Sequence, residues 1–295
     1  MDNPEEFREL LVEWRNFGSV HADGHFWMGD SVKLYVDGVY LSRTAWLHEP
    51  YVAHPQDTGS HAWRNPERFA RAVEIVDAMG IQACTHAVGD RGISALIDAY
   101  ENAQRKNGTR DARHRADHCE LPTPADQARM AALGIHAAMH PAHFVSDRAT
   151  EEILGPARMR RMMPWASLER AGVEVSFGSD WMAGPENPLY AILVAATRLN
   201  YKLDTDWGKE ERIPLAEAVR NYTLGSARAL KREREIGSLA VGKYADFVLF
   251  DWDFLAADPK ELLLAAGLEE KALDKLVLLT VVDGRVVYHR QGLRF

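Results

Sequence analysis

The chain has 295 residues, with 35 Lys and Arg against 43 Asp and Glu and a formal net charge of −8 with histidines neutral. No Lys/Arg run exceeds two residues, which excludes a generic binder of nucleic acid or acidic membrane, since either partner needs a basic patch. Hydrophobic residues at 46% and charged residues at 26% exclude disorder and point to a globular chain acting on a small molecule.

The start, Met1 to Glu6, is acidic and lacks the positive, then apolar, pattern of a secretory signal. Leu10, Leu11 and Trp14 fall at helical spacing and predict an amphipathic helix from Pro4 that ends before Gly18. His21, Asp23 and His25 have the spacing of two ligands on a helix, but Gly18, Gly24 and Gly29 mark them as a loop. Val32 to Val36 reads as a strand carrying Lys33. A long His-, Pro- and Trp-containing connection follows from Asp37-Gly38 to Asn65, of the kind that is functional or a lid.

From Pro66 one unit recurs four times. Helix 66–79 ends at Gly80 and feeds strand 81–86; helix 91–106 ends at Gly108 and feeds 113–118. Helix 124–133 ends at Gly134 and feeds 135–140, and a helix over 160–171 ends at Gly172 and feeds 173–177. This is the rhythm of a parallel sheet with right-handed crossovers, either doubly wound or a (β/α) barrel. No Gly-x-Gly-x-x-Gly or P-loop opens any helix, so nucleotide-binding doubly wound folds lose support. Polar side chains able to bind metal sit at strand ends, where barrel enzymes place their chemistry. The longest apolar run, Leu189 to Ala196, has eight residues against about 20 for a membrane-spanning helix. Beyond about 235 come short strands at 236–239, 246–250, 277–282 and 286–288, the last two a hairpin around Asp283-Gly284. The expected domains are a (β/α) portion over 1–234 and a β-rich portion over 235–295.

His86 and His118 end two successive strands, and in a barrel such ends converge on one mouth, so they are candidate ligands for zinc or a related ion. The plainer alternative is a pair of hydrogen-bonded loop or core histidines. Asp180, after Gly178-Ser179, could bind metal, act as general base or cap the next helix. Lys33 is costly to bury charged, so it is either on an edge strand or chemically special. His140 and His143 suit substrate contact or support of a ligand. Arg43, within the long connection and near Trp46, His48, Tyr51, His54 and Trp63, suits a substrate pocket; the alternative is a surface loop stapled by its aromatics. Cys84 and Cys119 make no disulfide framework, read as small buried hydrophobes and suggest a reducing cytoplasm.

Together, Val32-Lys33-Leu34-Tyr35-Val36-Asp37-Gly38, Ser42-Arg43-Thr44-Ala45, Glu49-Pro50-Tyr51, Thr85-His86-Ala87-Val88-Gly89-Asp90-Arg91, His114-Arg115-Ala116-Asp117-His118 and Phe177-Gly178-Ser179-Asp180 resemble the amidohydrolase superfamily. The branch is amidohydrolase family 3, which includes N-substituted formamide deformylase-like enzymes. Gly237-Ser238-Leu239 through Asp246 and Thr280 to Gly284 resemble that superfamily's return into its β-sandwich. The resemblance implies strands four to eight of a TIM-type barrel with part of a small sandwich. It also implies roles. Lys33, N-carboxylated, would bridge two metals in a site for one or two zinc or other divalent ions; His86 and His118 would be ligands, and Asp180 both ligand and proton shuttle. Beside these, the positions of Arg43, His140 and His143 in the sequence make them the expected substrate contacts. The implied reaction is hydrolysis of a non-peptide amide or formamide-like C–N bond in a small molecule, by an enzyme able to form homo-oligomers. The superfamily's first-strand His-x-His occurs nowhere here. The chain is therefore expected to be the C-terminal part of a family member, and the alternative to an enzyme is a non-catalytic fragment with a partial metal site.

Overall fold

The computed structural model describes residues 4–21, 31–144, 147–199, 207–251, 253–267 and 270–292. Two compact units divide the chain, Met1–Ala137 with Arg170–Glu174, and Ala138–Glu169 with Val175–Phe295.

The first unit holds α1 (Pro4–His21), β1 (Ser31–Tyr35), α2 (Pro66–Ala78), β2 (Gln82–Ala87), α3 (Asp90–Asn107), β3 (Arg115–His118), α4 (Pro124–Leu133) and the start of β4 (His136–Met139). Helices α2 and α4 begin where the sequence supplies a cap. Asn65 accepts a hydrogen bond from Glu67 N ahead of Pro66, and Thr123 forms a reciprocal capping box with Asp126 ahead of Pro124. Pro at the first helical position loses no intrahelical bond. α1 runs past Gly18 to His21, farther than expected, because a lone glycine costs a helix only about 1 kcal/mol. Strand β2 pairs in parallel with β1 on one side and β3 on the other. Both edges and both faces are therefore covered, and all six of its residues are buried, the condition under which a strand loses its polar alternation. Val73, Val76, Ile81, Ile93, Leu96 and Ile97 form the fully buried core around it.

The second unit holds the end of β4, the short helices α5 (Arg148–Leu154), α6 (Pro156–Arg160) and α7 (Trp165–Arg170), then β5 (Val175–Phe177) and α8 (Pro188–Thr197). The expected helix over 160–171 is shortened to α7, since Met163 takes a left-handed φ of 49° and Pro164 has no N–H to continue a helix from α6. The apolar run Leu189 to Ala196 is α8, buried along its whole length. Arg198 terminates it in a left-handed conformation, its guanidinium 3.7 Å from the Phe144 ring centre and 4.3 Å from that of Trp165. It donates to the carbonyls of Met163 (2.9 Å) and Met162 (2.8 Å), and burial pushes its pKa down to about 9. Helix α9 (Leu215–Arg220) continues through a π-helical turn, Asn221–Gly225, into α10 (Ser226–Ala229).

Strands β1 to β5 follow one another in sheet order, and the fold is α/β with a parallel five-stranded sheet. A second, antiparallel sheet contains β6 (Phe247–Phe250), β7 (Val277–Val282) and β8 (Arg285–His289). The expected hairpin is present, with positive φ at both Asp283 and Gly284, as a two-residue turn requires. Ile236 to Leu239 is not a strand: Lys243 Nζ folds back onto it and binds the carbonyls of Glu233 and Ile236 and the Ser238 hydroxyl. Among the described residues no helix is long and apolar enough to cross a membrane.

One buried pair tests the packing of the first unit. His114 Nδ1 accepts from Ala83 N (3.0 Å), so its Nε2 carries the proton donated to Asp77 Oδ1 at 3.0 Å. Burial works to raise the Asp77 pKa, but hydrogen bonds from His114 and Asn107 and the charge of Arg110 hold it at about 2. A depressed carboxylate contributes stability that is present above its unfolded pKa and lost as pH falls through the folded one. Asp77→Asn should therefore lower stability by up to about 2 kcal/mol at neutral pH. In denaturant titrations the gap to wild type should narrow between pH 4 and pH 2; a gap independent of pH would contradict the assignment.

Candidate metal centre

His86 and His118 lie near the C-terminal ends of β2 and β3, with ring centres 4.4 Å apart and edges turned to faces. The β2–β3 register pairs His86 with Asp117, so strand alternation alone would send His118 to the opposite side. Left-handed φ values of 69° at His118 and 48° at Cys119 break that alternation. Such conformations are uncommon for non-glycine residues and persist only where surrounding structure enforces them.

The orientation of His86 comes from the connection after β1. Its Nε2 is 3.0 Å from the Gly38 carbonyl. A carbonyl can only accept, so Nε2 carries the proton and Nδ1 keeps the lone pair a metal would use. Asp37 stands behind, 3.8 Å from Nε2. This carboxylate is buried and accepts three backbone N–H groups: Val88 (3.0 Å) on Oδ1, Gly89 (2.8 Å) and Trp46 (2.9 Å) on Oδ2. Burial drives its pKa up to about 7 against those three donors, with neighbouring Asp90 adding to the rise. The Trp46 carbonyl in turn accepts from Arg91 N and Gly92 N, and Asp90 Oδ1 accepts His48 N. Gly89 has to be glycine, since a Cβ there would sit 2.1 Å from the Trp46 oxygen. The Val88-Gly89-Asp90-Arg91 segment is thus a clasp for the 37–48 chain, and the histidine before it is what the clasp orients.

Lys33 shares a face with Cys84 by register, and its Nζ is 2.5 Å from Asp117 Oδ2. β1 is the first strand in the sheet order and the Lys33 side chain is 41% exposed, so no charge is buried without compensation. Arg115 also binds Asp117, through Nε at 3.0 Å. Burial works to raise the Asp117 pKa, and the charges of Arg115 and Lys33 more than reverse it. Asp37 and Asp117 were not singled out from sequence. For Asp117 the signal was available: Arg115 and Asp117 at spacing two share a strand face. For Asp37 it was not, because its donors come from residues 9 to 52 positions away.

In the second unit, His140 precedes and His143 ends a single 3-10 turn, Pro141–His143, with ring centres 5.2 Å apart. Burial lowers the His143 pKa, partly offset by the charge of Asp180 and a hydrogen bond to the Ser179 backbone. Asp180 follows β5 with φ 51° and is exposed. It caps no helix, since Asn187 caps α8. Arg43 is half-exposed and paired with Asp57 through Nε at 3.1 Å. Its connection is held by Trp63 Nε1 donating to Tyr35 O and by Trp46, His61 and Phe69 in edge-to-face contact. Cys84 and Cys119 are free and buried, and burial raises both thiol pKa values, that of Cys84 to about 11. Asp23 and His25 lie outside the described residues, as does the side chain of His21.

The sequence profile of the amidohydrolase family matches residues 5–288. The chain belongs to the amidohydrolase family. Protein LONG AFTER FAR-RED 3 of Arabidopsis thaliana is 32% identical over 90% of this chain and 44% of its own length. The N-substituted formamide deformylase of Arthrobacter pascens is 28% identical over 92% and 48%. Among solved structures, an uncharacterized metal-dependent hydrolase from Pyrococcus horikoshii OT3 superposes with a TM-score of 0.74 at 25% identity, covering 86% of this chain and 50% of that one. This amidohydrolase chain spans about half the length of the curated relatives it matches.

The clasp predicts a specific sensitivity. Asp37→Asn is nearly isosteric but turns one acceptor oxygen into a donor, so in either amide orientation an N–H group faces an NH2. An unsatisfied buried donor costs about 1 to 3 kcal/mol. The variant should melt at lower temperature, and the ring resonances of His86 should shift while those of His114 stay in place. An unchanged melt would show that Asp37 is not the anchor.

Proposed function

We propose that the chain carries the metal-binding and proton-transfer residues of a hydrolase for amide or formamide-like C–N bonds in small molecules, with Lys33, His86, His118 and Asp180 as ligands to one or two zinc or related divalent ions. The observation that carries this reading is the His86–His118 pair: two imidazoles 4.4 Å apart at adjacent strand ends, one with its tautomer fixed by Gly38. Two neutral imidazoles and carboxylates form the donor set such ions take, so the residues present fit the group. As a ligand Lys33 would be N-carboxylated, exchanging its contact with Asp117 for the ion. In the same reading the parallel sheet is strands four to eight of a (β/α) barrel, the antiparallel sheet belongs to a β-sandwich, and the enzyme works in the cytoplasm.

A bound zinc ion supplies Lewis acidity, lowering the pKa of water to about 7 and polarising the scissile carbonyl. The protein's own residues do the rest. Asp180 takes the proton released by the attacking water and delivers it to the departing nitrogen, which leaves as an amine. Its exposure suits a group that must reach solvent and substrate in one cycle. Asp37 and Gly38 keep Nδ1 of His86 available, and Asp117 stays paired with Arg115. His140, His143 and Arg43 are the proposed substrate contacts.

Metal analysis of the purified chain after zinc loading and gel filtration tests this. Wild type should retain zinc, His86→Ala and His118→Ala should retain less than about a tenth of it with unchanged circular dichroism, and Asp180→Asn should abolish turnover of an N-substituted formamide panel. Wild-type protein without zinc, or histidine variants that hold as much as wild type, would refute the proposal.

A further inference from the structure

His86 is held by more than the carbonyl at its Nε2. A hydrogen bond to one ring nitrogen fixes a point about which the ring can still swing, and the lone pair on Nδ1 has a single direction only when the ring plane is fixed as well. Parallel pairing sets Tyr35, the last residue of β1, directly opposite His86. The two ring centres are 5.1 Å apart and the planes are tilted by 31°, a separation at which aromatic rings attract one another. Strand β2 lies between β1 and β3 in the sheet. His86 therefore meets the Tyr35 ring on its β1 side and the His118 ring, edge to face, on its β3 side.

Tyr35 is not a core residue. It is 52% exposed, so burial does not hold its ring in place. Its backbone is fixed instead: Trp63 Nε1 donates to the Tyr35 carbonyl at 2.8 Å, and the next residue, Val36, donates its N–H to the His86 carbonyl at 3.0 Å. These bonds keep β1 and β2 in register at the level of the two rings. Lys33, two residues earlier and so on the same strand face, places Nζ 5.5 Å from the centre of the Tyr35 ring, inside the about 6 Å over which a ring attracts a cation. One aromatic ring thus contacts two of the four residues proposed as ligands.

We propose that Tyr35 is a positioning residue: its flat ring fixes the plane of the His86 imidazole, so that Nδ1 presents its lone pair to the metal in one direction. The inference rests on the ligand role proposed for His86, but its first readout needs no metal. Tyr35→Leu keeps apolar bulk and removes the flat face, and Tyr35→Phe keeps the face and removes only the hydroxyl. In the metal-free protein, 13C relaxation of the ring carbons should show His86 ordered in wild type and in Tyr35→Phe but mobile on the nanosecond timescale in Tyr35→Leu. The His114 ring should be equally ordered in all three, and melting temperatures should stay close to wild type because the Tyr35 side chain is half-exposed. Zinc affinity, measured by competition with a chelator, should fall about tenfold in Tyr35→Leu, as for other partners of metal ligands, and be retained in Tyr35→Phe.

A His86 ring as rigid in Tyr35→Leu as in wild type would overturn the proposal, and so would a mobile ring in Tyr35→Phe or a mobile ring with zinc affinity intact. If wild type binds no zinc at all, the ligand role of His86 fails, while the relaxation comparison still decides whether Tyr35 fixes the ring.

Discussion

A single buried carboxylate, Asp37, organises the end of the first unit where β1 and β2 give way to their loops. It ties three chain segments that are far apart in sequence: the exit of β1, the turn at Trp46 and the junction between β2 and α3. Leaving any of those N–H groups unpaired in the interior would cost more than the bond itself contributes in solution. The three segments therefore close together, and Gly38 O arrives at His86 Nε2 as a consequence. The tautomer of a candidate ligand is set by a loop anchor, an arrangement common to metal-binding histidines.

Backbone conformation does comparable work elsewhere. His118, Cys119 and Asp180 all occupy the left-handed region, and each stands where a strand gives way to a loop. A strand can only alternate its side chains between two faces; a left-handed residue at its end permits a third direction. That is how His118 meets His86 although its neighbour Asp117 is the residue in register with it. Charge is handled with similar economy on the floor of the same face, where Lys33 and Arg115 share one buried carboxylate.

Much of this was legible in the sequence because the controlling features are local. Gly after each helix, Pro at helix starts and short apolar runs placed β1 to β5 and α2 to α4 to within a few residues, and the Asp283-Gly284 hairpin followed from its turn chemistry. The motifs around His86, His118 and Asp180 pointed to the family that the profile match shows. What was not legible depends on long-range pairing. Asp37 resembles any turn aspartate until Val88 and Gly89 close on it. Lys33 looked anomalous within an apolar strand until Asp117, 84 positions away, supplied its partner. The π-turn at Asn221–Gly225 has no residue pattern of its own.

The central claim is that His86 and His118 are paired for a metal while His114, four residues before His118, is a fixed structural group. Imidazole 15N chemical shifts, followed during zinc titration of the metal-free protein, separate these roles. The account predicts that His86 starts as the Nε2–H tautomer, that its Nδ1 and one nitrogen of His118 move to metal-bound shifts together, and that both nitrogens of His114 stay where they were. Titration that leaves His86 and His118 unmoved, or shifts His114 with them, would contradict it.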